Sequence, residues 1–445
     1  MKTVYLPIEI YNRDFHSKSV LAYYLIKKNF SVILGRKAEI HEMITQKTQG
    51  IYFGVVTVDN YSSFYKKLKL LGHKIIVLDE EGLVTFEKKM YLDLKVSETT
   101  IKNIDHLLVW GNENKKILLS SKCSKFRNKI HVTGNPRIDL LKKKYSSIFL
   151  DNERKIIKNY GKFILINTSF SFSDHYTKNL DYLYELKKQK VIKNKKDEAR
   201  FKDYAKIIKK TKKIFLDTIK ALSKKYPNLN IIIRPHPSEN HDLYLDLEKK
   251  YKNIFVNHSY SIQPWILSSM CIIHSYCTTA AEALVVNKKT FCLISNKNLK
   301  VHKNLPFIFN DVSYSKKEVL KKIDNFISKK REINIQNNYS FYIKNISQRE
   351  DAFNNIVKLI KEIKFKKEFT KSGLIEKKNY FIKGLRKLFQ NTIGTNLQKK
   401  KYVSHKVPNI TKKNIQGIFK TLNENHSKLF KLVQINNQVV KIEKK

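Results

Sequence analysis

Short apolar segments alternate with longer amphipathic segments over the first 145 residues of the chain. The apolar segments are rich in β-branched residues and predict strands at 4–10, 31–34, 51–55, 74–78, 106–110 and 129–133. Between them, apolar residues recur every three or four positions, which predicts helices at 17–28, 61–71 and 112–120. Strands separated by helices of this length predict a parallel, doubly wound sheet.

A second series of strands follows a charged helical connection at 145–160. Its predicted strands are 163–167, 230–234, 254–256, 271–274 and 290–294, and a long amphipathic helix is predicted within the lysine-dense segment 187–225. Helical patterns at 316–328 and 351–363 close this series. The pattern predicts an α/β protein with a GT-B-like architecture, in which two Rossmann-like, doubly wound lobes face a central cleft. The predicted boundaries are 1–145 for the N-terminal lobe, 146–365 for the C-terminal lobe, and 366–445 for a basic extension.

The extension has a different pattern. Segment 380–389 places Phe381, Leu385, Leu388 and Phe389 on one face among basic residues, which predicts an amphipathic helix for docking on the protein or on a membrane. Segments 429–435 and 439–442, joined through Asn436 and Asn437, predict a β-hairpin.

The formal net charge of +49 changes the expected partners less than its size suggests. Of the 88 basic residues only ten are Arg, whereas base readout and bidentate phosphate recognition favour Arg. No stretch interleaves aromatic residues with Arg, so an RNA- or DNA-binding protein is the third alternative and no nucleic-acid partner is predicted. The spread of lysines along the entire chain is typical of a solvated surface, and peripheral contact of some of this charge with an anionic membrane is the partner that it leaves open.

Other features of the composition bound the cellular context. The four cysteines lack metal-binding spacing, no apolar run reaches about 18 residues, and the first ten residues lack a signal-peptide pattern. These three features predict a cytoplasmic protein without a metal or cofactor. There is also no GxGxxG dinucleotide fingerprint.

Three motifs carry candidate chemistry, and the first is acidic. Asp79, Glu80, Glu81 and Gly82 follow the strand 74–78 directly. Clustered carboxylates raise at least one pKa, which suits a general base near neutral pH. The alternative interpretation is a solvated acidic turn, but the expected place at a strand end facing the cleft favours Glu80 or Glu81 as the base.

The second motif is Arg234-Pro235-His236-Pro237-Ser238, after Ile231-Ile232-Ile233. Two prolines stop the strand and hold His236 in a stiff segment at its carboxyl end, where ligands bind in open α/β sheets. This motif predicts that Arg234, His236 and Pro237 form part of a phosphate site. A strand-terminating turn with a surface histidine is the alternative.

The third motif runs from His274 to Ala283 and predicts a strand end, a polar turn and a helix start. Ser275, Thr278 and Thr279 supply hydroxyl groups for a phosphate, or alternatively cap the helix. Glu282 could reach a ribose or sugar hydroxyl, or complement the helix dipole. With no convincing DxD motif, the three motifs together predict metal-independent transfer from a nucleotide-activated donor. The lobe 1–145 is then expected on the acceptor side and the lobe 146–365 on the nucleotide-sugar side.

These residues resemble the bacterial surface carbohydrate biosynthesis proteins over about residues 3–365. The resemblance lies in seven places: Glu9 to Arg13, Leu21-Ala22, Gly35, Leu78 to Gly82, Gly134 to Asp139, Arg234 to Glu239, and Ser275 to Ala280. It implies a GT-B-type enzyme that uses a nucleotide sugar for a cell-surface polysaccharide such as capsule or lipopolysaccharide.

A more distant resemblance concerns CMP-sugar-dependent sialyltransferases and polysialyltransferases. Glu80-Glu81-Gly82, His236-Pro237 and Thr278-Thr279 look like the D/E-D/E-G, HP and Ser/Thr motifs of those enzymes. The resemblance implies that Glu80 or Glu81 is the general base, that His236 stabilises the departing CMP, and that transfer inverts the anomeric carbon. The implied donor sugar is a nonulosonate or is Kdo-like, and the implied acceptor is a saccharide or glycolipid.

Two enzyme alternatives stay open. CDP-glycerol glycerophosphotransferases of teichoic-acid-like polymers also resemble the chain at 134–137 and 234–237, but their later Ser-Asp pair is not reproduced in 275–282. A UDP-sugar 2-epimerase shares the expected architecture but leaves the acidic motif without a clear role.

Overall fold

The structure, a computed structural model, is an α/β protein with two mainly parallel sheets. It describes residues 1–47, 49–83, 87–176, 181–189, 191–275, 277–295, 311–329, 339–365 and 407–445. The amphipathic segment predicted at 380–389 lies outside these residues.

The described chain divides into two compact units that are not contiguous in sequence. The first unit contains Met1–Gly82, Lys95–Ile148 and Asn338–Lys445, and the second contains Leu83–Leu94 and Phe149–Asn337. The predicted boundary near 145 therefore lies close to the observed one. The described residues 339–365 and 407–445, which include the predicted hairpin, belong to the first unit, whereas the sequence analysis assigned 339–365 to the C-terminal lobe and 407–445 to the extension.

The first unit is built on an eight-stranded sheet with the order β13-β14-β2-β1-β3-β4-β5-β6. Six of its strands pair in parallel, whereas β14 pairs antiparallel with β2 and with β13. The strands are β1 Thr3–Ile8, β2 Ser31–Arg36, β3 Ile51–Gly54, β4 Lys74–Leu78, β5 His106–Val109, β6 Ile130–Val132, β13 Phe430–Asn436 and β14 Val439–Lys444.

The second unit has a six-stranded parallel sheet with the order β12-β11-β10-β7-β8-β9. Its strands are β7 Phe163–Asn167, β8 Asn230–Arg234, β9 Ile254–Val256, β10 Cys271–His274, β11 Lys289–Leu293 and β12 Asp311–Ser313. The chain runs outward from β7 through β8 to β9 and then returns to the other side of β7 as β10. The direction of winding therefore reverses between β7 and β10, and such a switch point is where open α/β sheets bind ligands.

Helices connect the strands of both sheets. They are α1 Tyr11–Lys27, α2 Lys37–Thr45, α3 Ser62–Leu70, α4 Lys88–Lys95, α5 Glu98–Asn103, α6 Asn112–Leu119, α7 Pro136–Asp139, α8 Lys143–Ser146, α9 Leu150–Tyr160, α10 Tyr182–Lys188, α11 Lys195–Lys225, α12 Asp242–Lys250, α13 Ile262–Ser268, α14 Thr279–Leu284, α15 Lys316–Lys329, α16 Ala352–Glu362, α17 Lys412–Leu422 and α18 His426–Leu429.

Helix α11 shows why the lysine-dense segment folds. Ile208, Phe215, Ile219 and Leu222 recur at helical spacing and pack in the core beside the strands of the second sheet, such as Ile231. The side chain of Asn194 caps the helix by accepting a hydrogen bond from the Asp197 backbone N–H at 2.9 Å. Exposed lysines such as Lys209 occupy the opposite face.

Candidate active-site residues

The carboxyl ends of three neighbouring strands form one row in the second unit. The register pairs Asn167 of β7 with His274 of β10 on one side and with Arg234 of β8 on the other. The segments that follow these strand ends therefore start from the same edge of the sheet. Together with Arg234, the last residue of β8, these segments contain the residues for which the sequence predicted donor binding.

Polar side chains meet across the switch point between β7 and β10. The Asn167 Nδ2 donates a hydrogen bond to Thr279 Oγ1 at 2.8 Å, and the hydroxyl oxygens of Ser169 and Ser275 are 2.9 Å apart. The Asn167 Oδ1 is buried and accepts no hydrogen bond within the described part of the chain. Buried polar groups are rarely left unpaired, so this edge offers unused hydrogen-bonding capacity.

The predicted capping alternative for the third motif is not what the structure shows. Thr278 precedes α14, but its side chain makes no cap hydrogen bond, and Thr278 stays partly accessible. Thr279, in contrast, is buried, and its hydroxyl also lies 3.0 Å from the Cys277 Sγ.

Glu282 lies on α14 and is 1% exposed. Its Oε2 accepts a hydrogen bond from the Gln263 Nε2 at 3.0 Å, and Gln263 is equally buried. A carboxylate that only complements a helix dipole is usually solvated, whereas Glu282 is buried and hydrogen-bonded.

His236 is exposed and follows the end of β8. It lies between Pro235, which is buried, and Pro237, which is partly buried. Its Nδ1 lies 3.2 Å from the backbone N–H of Ser238 and accepts that hydrogen bond. In a neutral imidazole the proton then resides on Nε2, which makes Nε2–H a hydrogen-bond donor.

Arg234 has partners that the sequence did not reveal. Its guanidinium donates to the backbone carbonyl oxygens of Ser259 at 2.7 Å and Tyr260 at 3.1 Å, and it lies over the Trp265 ring at 5.2 Å. Burial lowers the pKa of Arg234 from its ordinary value. Arg234 therefore holds the loop that precedes α13.

Glu239, just after the HP motif, is buried and hydrogen-bonded at the same edge of the sheet. Its carboxylate accepts hydrogen bonds from the Thr168 hydroxyl at 2.9 Å, from the Phe170 backbone N–H at 2.8 Å and from the Tyr244 hydroxyl at 2.8 Å. Burial raises the pKa of Glu239. This network ties the segment after β8 to the segment after β7.

In the first unit, the acidic motif forms a tight turn after β4. Asp79 is buried, and its Oδ1 accepts the Glu81 backbone N–H at 3.1 Å, while its backbone carbonyl accepts the Trp110 Nε1–H at 2.6 Å. Gly82 is required by a close approach, because a Cβ there would lie 2.3 Å from the Asn114 side chain and 2.4 Å from the Asp79 Oδ2.

The two glutamates of this turn differ in their surroundings. The side chain of Glu80 is 8% exposed and pairs with Arg137 at 3.0 Å, while Asn135 donates to it at 3.2 Å. The side chain of Glu81 is 49% exposed and lies 3.6 Å from the Lys95 Nζ. The structure thus separates a buried ion-paired carboxylate from an exposed one, and both carboxylates have a basic partner.

A second charged cluster lies at the end of β1, and the sequence analysis gave it no role. Arg13 contacts Asp14 at 2.7 Å and Glu9 at 3.3 Å, and Lys37 also pairs with Glu9. Burial alone would raise the pKa of Asp14, but Arg13 and Lys18 outweigh it and hold that pKa well below its ordinary value. The signal available in the sequence was the charge-rich start of α1.

Two negative findings apply to the described residues. No group of three or more His, Cys, Asp or Glu side chains among them is placed to hold a metal ion. Within the same ranges, no helix combines the length and apolar composition that crossing a bilayer requires.

No family model matches the sequence, and no curated protein matches it. Solved structures show that the chain has a GT-B-type fold. The UDP-GlcNAc 2-epimerase of Methanocaldococcus jannaschii, in complex with UDP-GlcNAc and UDP, matches with a TM-score of 0.53 at 14% identity, covering 81% of this chain and 99% of that chain.

A putative UDP-N-acetylglucosamine 2-epimerase from Listeria monocytogenes matches with a TM-score of 0.52 at 13% identity, covering 81% of this chain and 96% of that chain. The wall teichoic acid polymerase TagF has a TM-score of 0.49 at 13% identity, covering 81% of this chain and 88% of that chain. At these identities the likeness concerns the fold. The two epimerase structures confirm the predicted fold class.

Proposed function

We propose that the chain is an inverting glycosyltransferase that moves a sugar from a CMP-activated donor to a cell-surface saccharide or glycolipid. The observation that carries the proposal is the row of strand ends in the second unit, where hydroxyl, amide and imidazole groups follow β7, β8 and β10. The M. jannaschii epimerase of like fold holds UDP-GlcNAc and UDP, which supports a nucleotide sugar as the ligand class. The choice of CMP and of a nonulosonate or Kdo-like sugar rests on the sialyltransferase-like motifs alone.

We assign the leaving group to the second unit. The His236 Nε2–H donates to the phosphate of the departing CMP, and the hydroxyls of Ser275, Thr278 and Thr279 add neutral donors. Arg234 and Pro237 fix the loops around this phosphate, because Arg234 binds backbone carbonyls and Pro237 limits the backbone after His236. Glu282 accepts hydrogen bonds from the sugar of the nucleotide.

We assign proton transfer to the first unit. Glu81 takes the proton of the acceptor hydroxyl as its oxygen attacks the anomeric carbon, and the bond from that carbon to the CMP phosphate oxygen breaks. Glu80 is less suited, because a protonated Glu80 would leave the buried Arg137 without its counter-charge. Glu80 therefore positions the turn that carries Glu81.

Nucleotide binding tests the donor assignment. In a thermal unfolding screen with CMP, CDP, UDP and GDP, we expect CMP to stabilise most, since a ligand at 100 times its Kd adds about 2.7 kcal/mol. His236→Ala is expected to weaken this stabilisation, whereas His258→Ala, which alters an imidazole with no assigned role, should not. Stabilisation by UDP alone or by CDP-glycerol alone would overturn the CMP assignment in favour of an epimerase or a glycerophosphotransferase.

Turnover tests the base. Glu81→Gln should lower transfer by about 10²-fold or more while leaving CMP binding unchanged, because only the proton acceptor is lost. A Glu81→Gln enzyme with undiminished turnover would remove the assignment. Loss of CMP binding in the same variant would instead show that Glu81 contacts the donor.

A further inference from the structure

Asn345 is buried against the segment 133–139, which contains the loop after β6 and the helix α7. Its Oδ1 accepts the Asn135 backbone N–H at 3.0 Å, and its Nδ2 donates to the Asn135 backbone carbonyl oxygen at 2.9 Å. The same Nδ2 donates to the Asp139 Oδ1 at 2.8 Å. One side-chain amide therefore pairs with both backbone groups of Asn135 and also holds the end of α7.

The backbone of this segment is shaped for the Asn345 side chain. Gly134 has a φ of +80°, and a Cβ there would lie 2.2 Å from the Asn345 Oδ1. Glycine adopts this conformation without strain and leaves room for the close approach. The segment and Asn345 therefore fit closely, and the position of Asn135 depends on Asn345.

The side chains of the same segment hold Glu80. The Asn135 Nδ2 donates to the Glu80 Oε2 at 3.2 Å, and Arg137 pairs with that oxygen at 3.0 Å. The Asn135 Oδ1 accepts the Arg137 backbone N–H at 2.9 Å, which joins the two partners of Glu80 to each other. The backbone that Asn345 fixes therefore determines where both partners of this carboxylate lie.

We propose that Asn345 is a positioning residue that acts through segment 133–139 and Glu80 to place Glu81 at the acceptor hydroxyl. Glu80 and Glu81 are consecutive, so a shift of the buried carboxylate also moves the backbone from which Glu81 projects. A displacement of about 1 Å at a reacting group can lower a rate by about 10²-fold. The inference rests on the proposed function in taking Glu81 as the base, but it does not depend on which donor is used.

Steady-state kinetics of the full-length protein test this role. Asn345→Ala removes all three hydrogen bonds and should lower kcat on the order of tenfold, while the acceptor KM and CMP binding change by less than about twofold.

A double variant decides whether the loss passes through Glu81. In Glu81→Gln the side chain cannot accept the proton, so its exact position no longer affects this step. Adding Asn345→Ala to Glu81→Gln should therefore lower kcat by less than about a further twofold. A side chain that supports only the fold would lower kcat by the same factor in both backgrounds.

The matched control is Asn355→Ala. The Asn355 Nδ2 donates to the Thr133 backbone carbonyl oxygen at 3.0 Å, so this amide also contacts segment 133–139, but at its start. The control should keep kcat within about twofold of the wild type, because Asn135 stays in place.

A second variant applies if Asn345→Ala unfolds. Asn345→Asp retains the Oδ1 acceptor and replaces the Nδ2–H donor, and its loss of kcat should likewise be suppressed by Glu81→Gln. Unchanged melting without ligand establishes that a variant is folded.

The outcomes separate the two proposals. Equal losses from the Asn345 substitution in the wild-type and Glu81→Gln backgrounds would overturn the positioning role and leave the proposed function standing. An undiminished kcat in a folded Asn345→Ala protein, or an equal loss in Asn355→Ala, would do the same. Undiminished turnover in Glu81→Gln alone would overturn the proposed base, and this inference with it.

Discussion

Adjacent residues in the Asp79–Gly82 turn serve different purposes because their neighbours differ. Glu80 is buried against Arg137 and Asn135, whereas Glu81 is about half exposed beside Lys95. An ion pair that is shielded from water depends strongly on both partners, and an exposed pair contributes little. We therefore expect stability to depend mainly on Glu80, while the proposed proton transfer falls to Glu81.

Measurements of stability can separate them. Glu80→Ala should lower the free energy of unfolding by about 3 kcal/mol, because Arg137 is left buried without a counter-charge. Glu81→Ala should lower it by less than about 1 kcal/mol. Denaturant titration of both variants checks this, with the Glu80→Ala/Arg137→Met double variant expected to recover part of the loss. Equal losses for Glu80→Ala and Glu81→Ala would show that burial does not distinguish them.

We expect the stability of the first unit to depend on pH through His41. Burial, aided by the charge of Lys37, lowers the pKa of His41 from 6.5 to about 4, and the His41 Nε2 lies 2.8 Å from the Tyr52 hydroxyl. The unfolded chain thus takes up this proton before the folded chain does. The contribution to stability is present above pH 6.5 and is lost as the pH falls towards 4.

The expected size of this effect is about 1–2 kcal/mol between pH 7 and pH 5. His41→Phe suits the site, where the Phe64 ring lies 4.2 Å from the imidazole, and it cannot be protonated. Denaturant titrations at the two pH values should therefore show a smaller loss of stability in the variant than in the wild type. An identical loss in both proteins would contradict the assignment.

At the scale of elements, local patterns were sufficient for strands whose ends are marked in the sequence. The bounds of β7, β8 and β10 were predicted without error, since β-branched residues stop at polar or proline residues there. The hairpin near the C-terminus is also confirmed, as β13 and β14. The place of β14 beside β2 could not be predicted, because the partner lies about 400 residues away and leaves no local signal.

The candidate site shows the same limit. The sequence located the acidic turn and the HP motif, which are contiguous, but it could not choose between Glu80 and Glu81. That choice depends on Arg137, which is distant in sequence. Arg234 was predicted to meet a phosphate, yet the carbonyl oxygens and indole that surround it become adjacent only after folding. The contact of Gln263 with Glu282 could not be predicted for a related reason. A single amide in an apolar segment does not indicate which carboxylate it will meet after folding.

We expect the pairing of β14 with β2 to contribute considerably to the free energy of unfolding. Val439, Val440 and Ile442 are fully buried, and a Cβ at Gly35 would lie 2.6 Å from the Gln438 backbone oxygen. Ile442→Ala should therefore lower the free energy of unfolding by about 2–5 kcal/mol. Val433→Ala on β13, where the side chain is 40% exposed, is the matched control and should cost less than about 1 kcal/mol. A small loss for Ile442→Ala would mean that the added strand is dispensable.

At the scale of the whole molecule, the net charge of +49 supports the proposed contact with an anionic membrane. Truncation at residue 366 is unsuitable as a test, because it would also remove β13 and β14 from the first unit. Neutralising Lys383, Arg386 and Lys387 to Gln leaves those strands in place.

We expect that triple variant to bind vesicles of anionic lipid on the order of a hundredfold more weakly, at about 1 kcal/mol per basic residue near the surface. Cosedimentation at low and high salt checks this, since the binding should fall as salt screens the charges. The control replaces Lys206, Lys209 and Lys213 on the exposed face of α11 with Gln. Equal losses in both variants would show that the charge acts diffusely and not through segment 380–389.

The return of the C-terminal strands to the first sheet also has a consequence during translation. A ribosome makes β14 about 400 residues after β2, although Val439 of β14 pairs with Gly35 of β2. Until then the outer side of β2 presents unpaired backbone groups, which are a template for aggregation. We therefore expect the nascent first unit to need a chaperone, or to fold slowly, until the residues of β14 emerge.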